Sequence, residues 1–252
     1  DPDRYEHMHA HPDVLIVGAG PAGLAAALAA GRTGARVILA DEQAEFGGSL
    51  LAEDDVFIDG KPGAEWVTEV VAELASMPEV TLLPRTCVHA YFDHNYLLAA
   101  ERVTDHIGAV VPNTPRQRLW KIRARQVVLA TGTLERPLVF RDNDRPGIML
   151  STAARGYAVR YGVAAGQRPL IVTGHDDGYR TALAYAARGA RVAGIVDLRP
   201  EPAGALVDAA RERGIDILAG HSVAGTHGGH RVEAVDVAEM NVEGTGLAKV
   251  TR

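Results

Sequence analysis

The sequence predicts an α/β protein of two Rossmann-like dinucleotide-binding folds, the second inserted in the first, with a β-meander. Three observations carry this. The stretch "VLIVGAGPAGLAAALAAGRTGARVILADE" reads apolar strand, glycine turn, helix, apolar strand, acid. The stretch "LIVTGHDDGYRTALAYAARGARVAGIVD" repeats that order far downstream. Between them, short alternating runs read as antiparallel strands.

The elements follow in order. Val14 to Val17 is a short buried strand, Pro21 to about Arg32 an alanine-rich helix, and Val37 to Ala40 a second strand. A looser stretch, "FGGSLLAEDDVFIDGKPG", precedes an amphipathic helix from about Ala64 to Ser76. Val80 to Leu83 reads as a strand, and "TCVHAYFDHNYLLAAERV" as a strand and hairpin. The turn-rich "TDHIGAVVPNTPRQR" is an exposed loop, after which "LWKIRARQVVLATG" completes the meander and returns a strand to the sheet. The second unit has strand Leu170 to Thr173, a helix from about Gly178 to Arg188, and strand Arg191 to Val196. Helix Ala203 to Arg213 follows, then strands in "DILAG" and "RVEAVDVAEM", with "THGGH" as a hairpin turn.

A nucleotide-type fold inserted into another is the plan of flavoprotein disulfide reductases and their relatives. On that plan residues 1–165 form the first domain and 166–252 the inserted one, whose cofactor site is degenerate. The first domain's last strand, expected after "EGTGLAKVTR", is missing. Cys87 is the single cysteine. It makes neither an internal disulfide nor a Cys-x-x-Cys pair, so the chain is not expected to be a disulfide reductase.

The 252 residues are 47% hydrophobic and 23% charged with formal net charge −6, an ordinary globular balance with ample length for a core. The acidic balance argues against nucleic acid or an anionic membrane as partner. No apolar run approaches the roughly 20 residues that span a bilayer. The start, "DPDRYEHMHAHPD", lacks an initiator Met and a signal pattern, and reads as part of a longer cytoplasmic chain.

Gly18-Ala19-Gly20-Pro21-Ala22-Gly23 fits G-x-G-x-x-G between a strand and a helix. Gly18 permits the tight turn, Gly20 lets main chain approach a pyrophosphate, and Gly23 lets the helix pack closely on the sheet. The helix N-terminus offers N–H groups and about half a positive charge to phosphates. Asp41 ends the second strand, where a carboxylate accepts hydrogen bonds from ribose hydroxyls, and Glu42 is beside it. No Arg or Lys stands at 41 to 43, which argues against the 2′-phosphate of NADP. Three further patches are candidates for the same pocket: Gly47-Gly48-Ser49, Val88 at the end of the third-strand region, where an adenine commonly meets backbone, and Ala130-Thr131-Gly132 after an apolar strand. Each also has a plain structural reading, as turn or core.

The later copy is spoiled. Gly174 holds the first glycine position, but Asp176 falls at the second and Tyr179 at the third. Like charges 4 Å apart cost roughly 4 kcal/mol at an effective dielectric near 20. A helix N-terminus returns only about 0.3–1 kcal/mol. Repulsion should win. Asp176 or Asp177 is then expected to cap the helix, and Asp197 to be only a strand-end acid.

Two further polar clusters, which could in principle bind a metal or do acid–base work, read better as structure. His7, His9 and His11 alternate but lack partner ligands, and read as a surface arm rather than a metal site. Asp93 to Tyr96, "DHNY", reads as a hairpin turn. No catalytic residue and no metal are assigned, so any redox chemistry falls to a cofactor.

The blocks "YEHMHAHPDVLIVGAGPAGLAAALAAGRTGARVILADEQAEFGGSL", "YFDHNYLLAAERVTDH", "PRQRLWKIRARQVVLATG" and "ERPLVFRDNDRPGIML" together resemble the α subunits of heterotetrameric sarcosine oxidases. The resemblance implies the central portion of a longer subunit, with a small domain before Asp1 and a folate-binding domain after Arg252. It implies β, γ and δ partner subunits, FAD in the β subunit that oxidises sarcosine, and FMN at the α/β interface passing electrons to oxygen. In this portion it implies a tightly held NAD⁺ contacting Ala22, Asp41, Glu42, Gln43, Ser49 and Val88. Two alternatives stand beside it: an FAD-binding subunit of a related amine or opine dehydrogenase, and a non-catalytic scaffold.

Overall fold

A computed structural model describes residues 3–109, 111–241 and 243–248. They fall into two compact units, Asp1–Thr133 and Leu134–Arg252.

The first unit contains strands β1 (Tyr5–Ala10) and β2 (Val14–Val17), helix α1 (Pro21–Gly31) and strand β3 (Val37–Ala40). A two-residue hairpin, β4 (Phe57–Ile58) and β5 (Lys61–Pro62), leads into α2 (Gly63–Ser76). Strands β6 (Val80–Leu83), β7 (Thr86–Phe92), β8 (Tyr96–Arg102), β9 (Gln117–Arg123) and β10 (Gln126–Leu129) complete it. Two sheets result. One is parallel, in the order β10-β2-β3-β6, and the other has the order β1-β9-β8-β7.

Neighbouring strand residues point to opposite faces, so Ile16 and Leu39 join Leu24, Trp66, Val70 and Leu74 in the core under the helices. Leu15 and Ile38 face the other way, onto Leu97, Ala99 and Ile122 of the meander. Being covered on both faces explains why β2 and β3 read as unbroken apolar runs.

The start of the chain departs from the surface arm expected of it. Tyr5–Ala10 is a strand, paired in parallel with β9. Its alternation is real but built from polar residues, and its partner lies far away in sequence: Arg118 Nε meets Glu6 at 3.0 Å. The "DHNY" turn does join β7 to β8; His94 and Asn95 have φ of 59° and 52° there.

The second unit opens with α3 (Ser151–Arg160), which sequence reasoning missed. Its mean character is polar, and its buried residues are Arg155 and Ala158. It is held by side chains instead: Glu135 accepts bonds from the Ser151 and Thr152 amides at 3.0 and 2.8 Å, filling the helix N-terminus. Then come β11 (Leu170–Thr173), α4 (Asp177–Ala187), β12 (Gly194–Asp197), α5 (Ala205–Glu212), β13 (Ile217–Ala219), β14 (His221–His227) and β15 (Ala234–Glu239). Strand β12 begins three residues later than Arg191 and includes Asp197. A parallel sheet runs β11-β12-β13, and β14 pairs antiparallel with β15. The core gathers Ile171, Tyr179, Ala182, Ile195, Val207 and Ala210. Among the described residues no helix is long and apolar enough to cross a membrane.

Candidate functional site

The turn from β2 into α1 is made by main chain. Gly18 has φ of 97°, a region L-residues rarely enter, and a β-carbon there would strike the Ala130 carbonyl. A β-carbon on Gly23 would run into the Gly18 carbonyl oxygen. Both glycines are therefore fixed by packing whether or not a ligand is held. Gly20 is different: it is extended, stands at the N-cap of α1, and has only the Gly48 α-carbon near it. No side chain caps α1 and its first turn holds no acid, so Pro21 and Ala22 open a helix end that its own side chains leave to others.

The other sequence candidates gather around this turn to different degrees. Asp41 sits against it, one carboxylate oxygen accepting from Ala19 N at 2.6 Å and the other from Gln43 N at 2.8 Å. Gly48 has φ of 56° and abuts Gly20, while Gly47 N donates to Ala19 O at 2.8 Å. Ser49 follows and is exposed, as are Ala22, Glu42 and Gln43. Ala130 N donates to Val17 O at 2.8 Å, which sets exposed Thr131 and Gly132 just past the strand beside the turn. The Asp41–Gln43 segment is tied to the start of β7, since Thr86 N donates to Asp41 O and Arg85 N to Gln43 O, at 2.7 and 2.8 Å. Val88 lies two residues further on, at a register shift, with its partly buried side chain packed against the core. Its side chain is therefore committed to packing. Sequence reasoning missed Arg102, whose guanidinium donates to Glu42 O at 3.1 Å. A lone arginine at the end of a strand gives no local signal of that contact.

The turn from β11 into α4 is filled by its own side chains. Gly174 has nothing within 4 Å of a built β-carbon and no positive φ, so neither demand made of Gly18 applies. Close packing has moved to Gly178, whose β-carbon would lie 2.6 Å from Thr173 Oγ1. Asp176 Oδ1 receives Arg199 Nη1 at 2.8 Å. Asp197, fully buried, receives Arg199 Nη2 at 2.8 Å and the Tyr179 hydroxyl at 2.7 Å. Asp177 pairs with Arg155 at 3.0 Å.

Two sequence expectations are corrected here. Neither Asp176 nor Asp177 caps α4 through its side chain; the Asp177 amide donates to His175 Nδ1 at 3.2 Å instead. Repulsion by bare carboxylates is also not what closes the turn, because each acid is matched by a guanidinium. Arg199, which sequence reasoning did not single out, spans Asp176 and Asp197 and lies 5.9 Å from the Tyr179 ring. Its only sequence signal is a basic residue two positions after a strand-end acid.

The titration of this group follows from the geometry. Burial acts to raise Asp197, but bonds from Arg199 and Tyr179 outweigh it and hold the carboxyl below its usual range. Burial, then the hydrogen bond to Asp197, pushes the Tyr179 hydroxyl well above its ordinary value. His7 and His9 sit exposed on β1, and among the described residues no cluster of His, Cys, Asp or Glu could hold a metal.

Comparison with known proteins agrees with this architecture. Residues 12–247 match the model of the pyridine nucleotide-disulphide oxidoreductase family. The chain is 47% identical over 243 residues to sarcosine oxidase subunit alpha of Corynebacterium sp. (strain P-1), covering 95% of this chain and 25% of that one. To the subunit of the same name from Rhizobium meliloti (strain 1021) it is 49% identical over 238 residues, covering 94% and 23%. The chain thus spans about a quarter of the length of these relatives. Among solved structures, L-proline dehydrogenase from P. horikoshii superposes with a TM-score of 0.62 at 25% identity, covering 94% of this chain and 40% of that one.

Proposed function

The chain belongs to the pyridine nucleotide-disulphide oxidoreductase family, and from that premise we propose that its first unit holds one dinucleotide, NAD⁺, as part of a sarcosine oxidase alpha subunit. The observation that carries this is the bare turn after β2. Glycine main chain, an α1 N-terminus with no side-chain cap, and the Asp41 carboxylate meet there. That combination fits a diphosphate and its adjoining ribose. Gly18, Gly20, Pro21, Ala22 and Gly23 would cradle the phosphates. Asp41, with Glu42 and Gln43, would hold the ribose. Gly48, Ser49, Thr131 and Gly132 would line the remainder, and Val88 would meet the adenine through its main chain.

NAD⁺ is favoured over an exchanged NAD(P)H because the second turn is occupied by Arg199 and Tyr179. A nicotinamide that stays bound needs no second docking surface. When bound, such a ring supplies hydride-accepting capacity; the residues named here bind and orient it. By similarity to the alpha subunits, the whole protein would take part in oxidative demethylation of sarcosine to glycine with oxygen as acceptor. FAD would sit in a β subunit, FMN at the interface, and γ and δ subunits would complete the complex in the cytoplasm. The amine and folate would be handled outside these residues.

A second reading, FAD in the same turn of a related amine or opine dehydrogenase, is favoured by the likeness to L-proline dehydrogenase. The absorption spectrum of ligand released from the native protein separates the two. An ultraviolet-only nicotinamide is expected, a visible flavin band would transfer the proposal to FAD, and an empty protein would overturn both.

A further inference from the structure

The acid at the first turn takes its orientation from two amides. One Asp41 carboxylate oxygen accepts from Ala19 N at 2.6 Å and the other from Gln43 N at 2.8 Å. The lone pairs left for a ribose therefore face where those two N–H groups send them. Ala19 follows Gly18, whose place in the turn is fixed by packing against Ala130. Gln43 N belongs to the peptide group between Glu42 and Gln43. That group is planar, with its C=O and N–H pointing opposite ways. Whatever holds the Glu42 carbonyl thus aims the Gln43 N–H at Asp41.

Three successive carbonyls tie this segment to its neighbours, and their donors differ. Asp41 O accepts from Thr86 N at 2.7 Å and Gln43 O from Arg85 N at 2.8 Å, both main-chain bonds. Glu42 O, between them, accepts from a side chain, Arg102 Nη2 at 3.1 Å. Arg102 N also donates to Arg85 O at 3.0 Å, which braces the outer tie. That main-chain bond survives substitution at 102, whereas the middle tie depends on the guanidinium. Asp105, whose carboxyl feels the Arg102 charge, is already bonded by Arg116 and Gln117 at 2.5 and 2.9 Å. A cation on a carbonyl oxygen also polarises the peptide and strengthens its N–H as a donor.

We propose that Arg102 is a positioning residue for the dinucleotide proposed above, on whose presence its role rests: through the Glu42–Gln43 peptide it fixes the Asp41 carboxylate toward the ribose. It acts from the end of β8, without touching the ligand. NAD⁺ and FAD both carry an adenosine ribose, so the role is the same for either.

The test follows nucleotide loss on dialysis from the native full-length protein purified with its bound partners, read as adenine absorbance freed by acid. Arg102 is exposed, so truncating it opens no core cavity. Arg102→Met should speed nucleotide loss about tenfold, less than removal of Asp41 itself, because the carboxylate remains but is misaimed. Arg102→Lys should recover most of the retention, since one carbonyl needs one donor. In an Asp41→Ala background Arg102→Met should add nothing, because the group it positions is gone. Arg123→Met, which removes an exposed cation from the other end of the meander, should leave retention unchanged. Wild-type protein without nucleotide would end both the dinucleotide assignment and this one. Loaded wild type weakened by Asp41→Ala but not by Arg102→Met would overturn the role of Arg102 alone. So would losses that add in the double variant, equal losses in the Met and Lys variants, or the same loss in Arg123→Met.

Discussion

At the end of β2 the chain leaves glycine main chain and an uncapped helix end; at the end of β11 the equivalent turn is filled by Arg199, Tyr179 and three aspartates. Both turns join a strand to a helix and run on to a strand-end acid, and the acids show the contrast best. Asp41 is partly exposed and bonds main-chain N–H groups of its own turn. Asp197 is fully buried and bonds an arginine and a tyrosine. A carboxylate with its outer side open is available to a ribose, whereas one enclosed by its own partners is not. Supersecondary plan alone therefore says little about binding. What decides it is whether the charged and polar groups at the turn are already satisfied from within.

The largest test of that contrast is Gly23→Ala. Its β-carbon has no room against Gly18 main chain, and a loss of about 4 kcal/mol or more in urea unfolding is expected. Next is Arg199→Met, which strips a buried carboxylate of its cation. Removing one partner of a buried pair costs about 3–5 kcal/mol, and the partial exposure of Arg199 places this variant near 3. Dinucleotide retention should be unaffected; if nucleotide instead bound the opened turn, the closed-cradle reading would be sharpened into a demonstration of what closes it.

Asp41→Ala should weaken retention of the dinucleotide roughly ten- to a hundredfold, the equivalent of losing a charged hydrogen bond worth about 1.5–3 kcal/mol. Asp197→Asn should leave retention unchanged in the same equilibrium-dialysis assay, and equal losses would break the comparison. Acid titration reads the buried group by itself. Because the folded pKa of Asp197 is depressed, its stabilisation is present above the unfolded value of about 4 and is lost as pH falls through the folded value. The stability gap between wild type and Asp197→Asn should therefore narrow as pH falls below about 4. The smallest expected effect is Gly174→Ala, where nothing crowds the site and unfolding should shift by no more than about 0.5 kcal/mol.

Legibility varied with the range of the interaction. Helices α1 and α2 and strands β2, β3 and β6 were readable because their apolar spacing is local and both faces of β2 and β3 are covered. Strand β1 was not, since its polar alternation acquires meaning only from β9, more than a hundred residues away. Helix α3 was missed for a related reason: Glu135, Thr181 and Asp177 supply its support, and none of these is part of its own pattern. At the candidate site the glycines and Asp41 were visible from spacing, whereas Arg102 on the Glu42 carbonyl was not.

By itself the sequence determined the order of elements, the bare first turn and its acid, and the damage to the second, because backbone freedom and hydrophobic period are local properties of residue order. Only the tertiary structure decided what stands at the second turn and which face of the meander packs on the parallel sheet. Those depend on which distant side chains arrive, and a charge such as that of Asp176 has no fixed effect until its partner, here Arg199, is known.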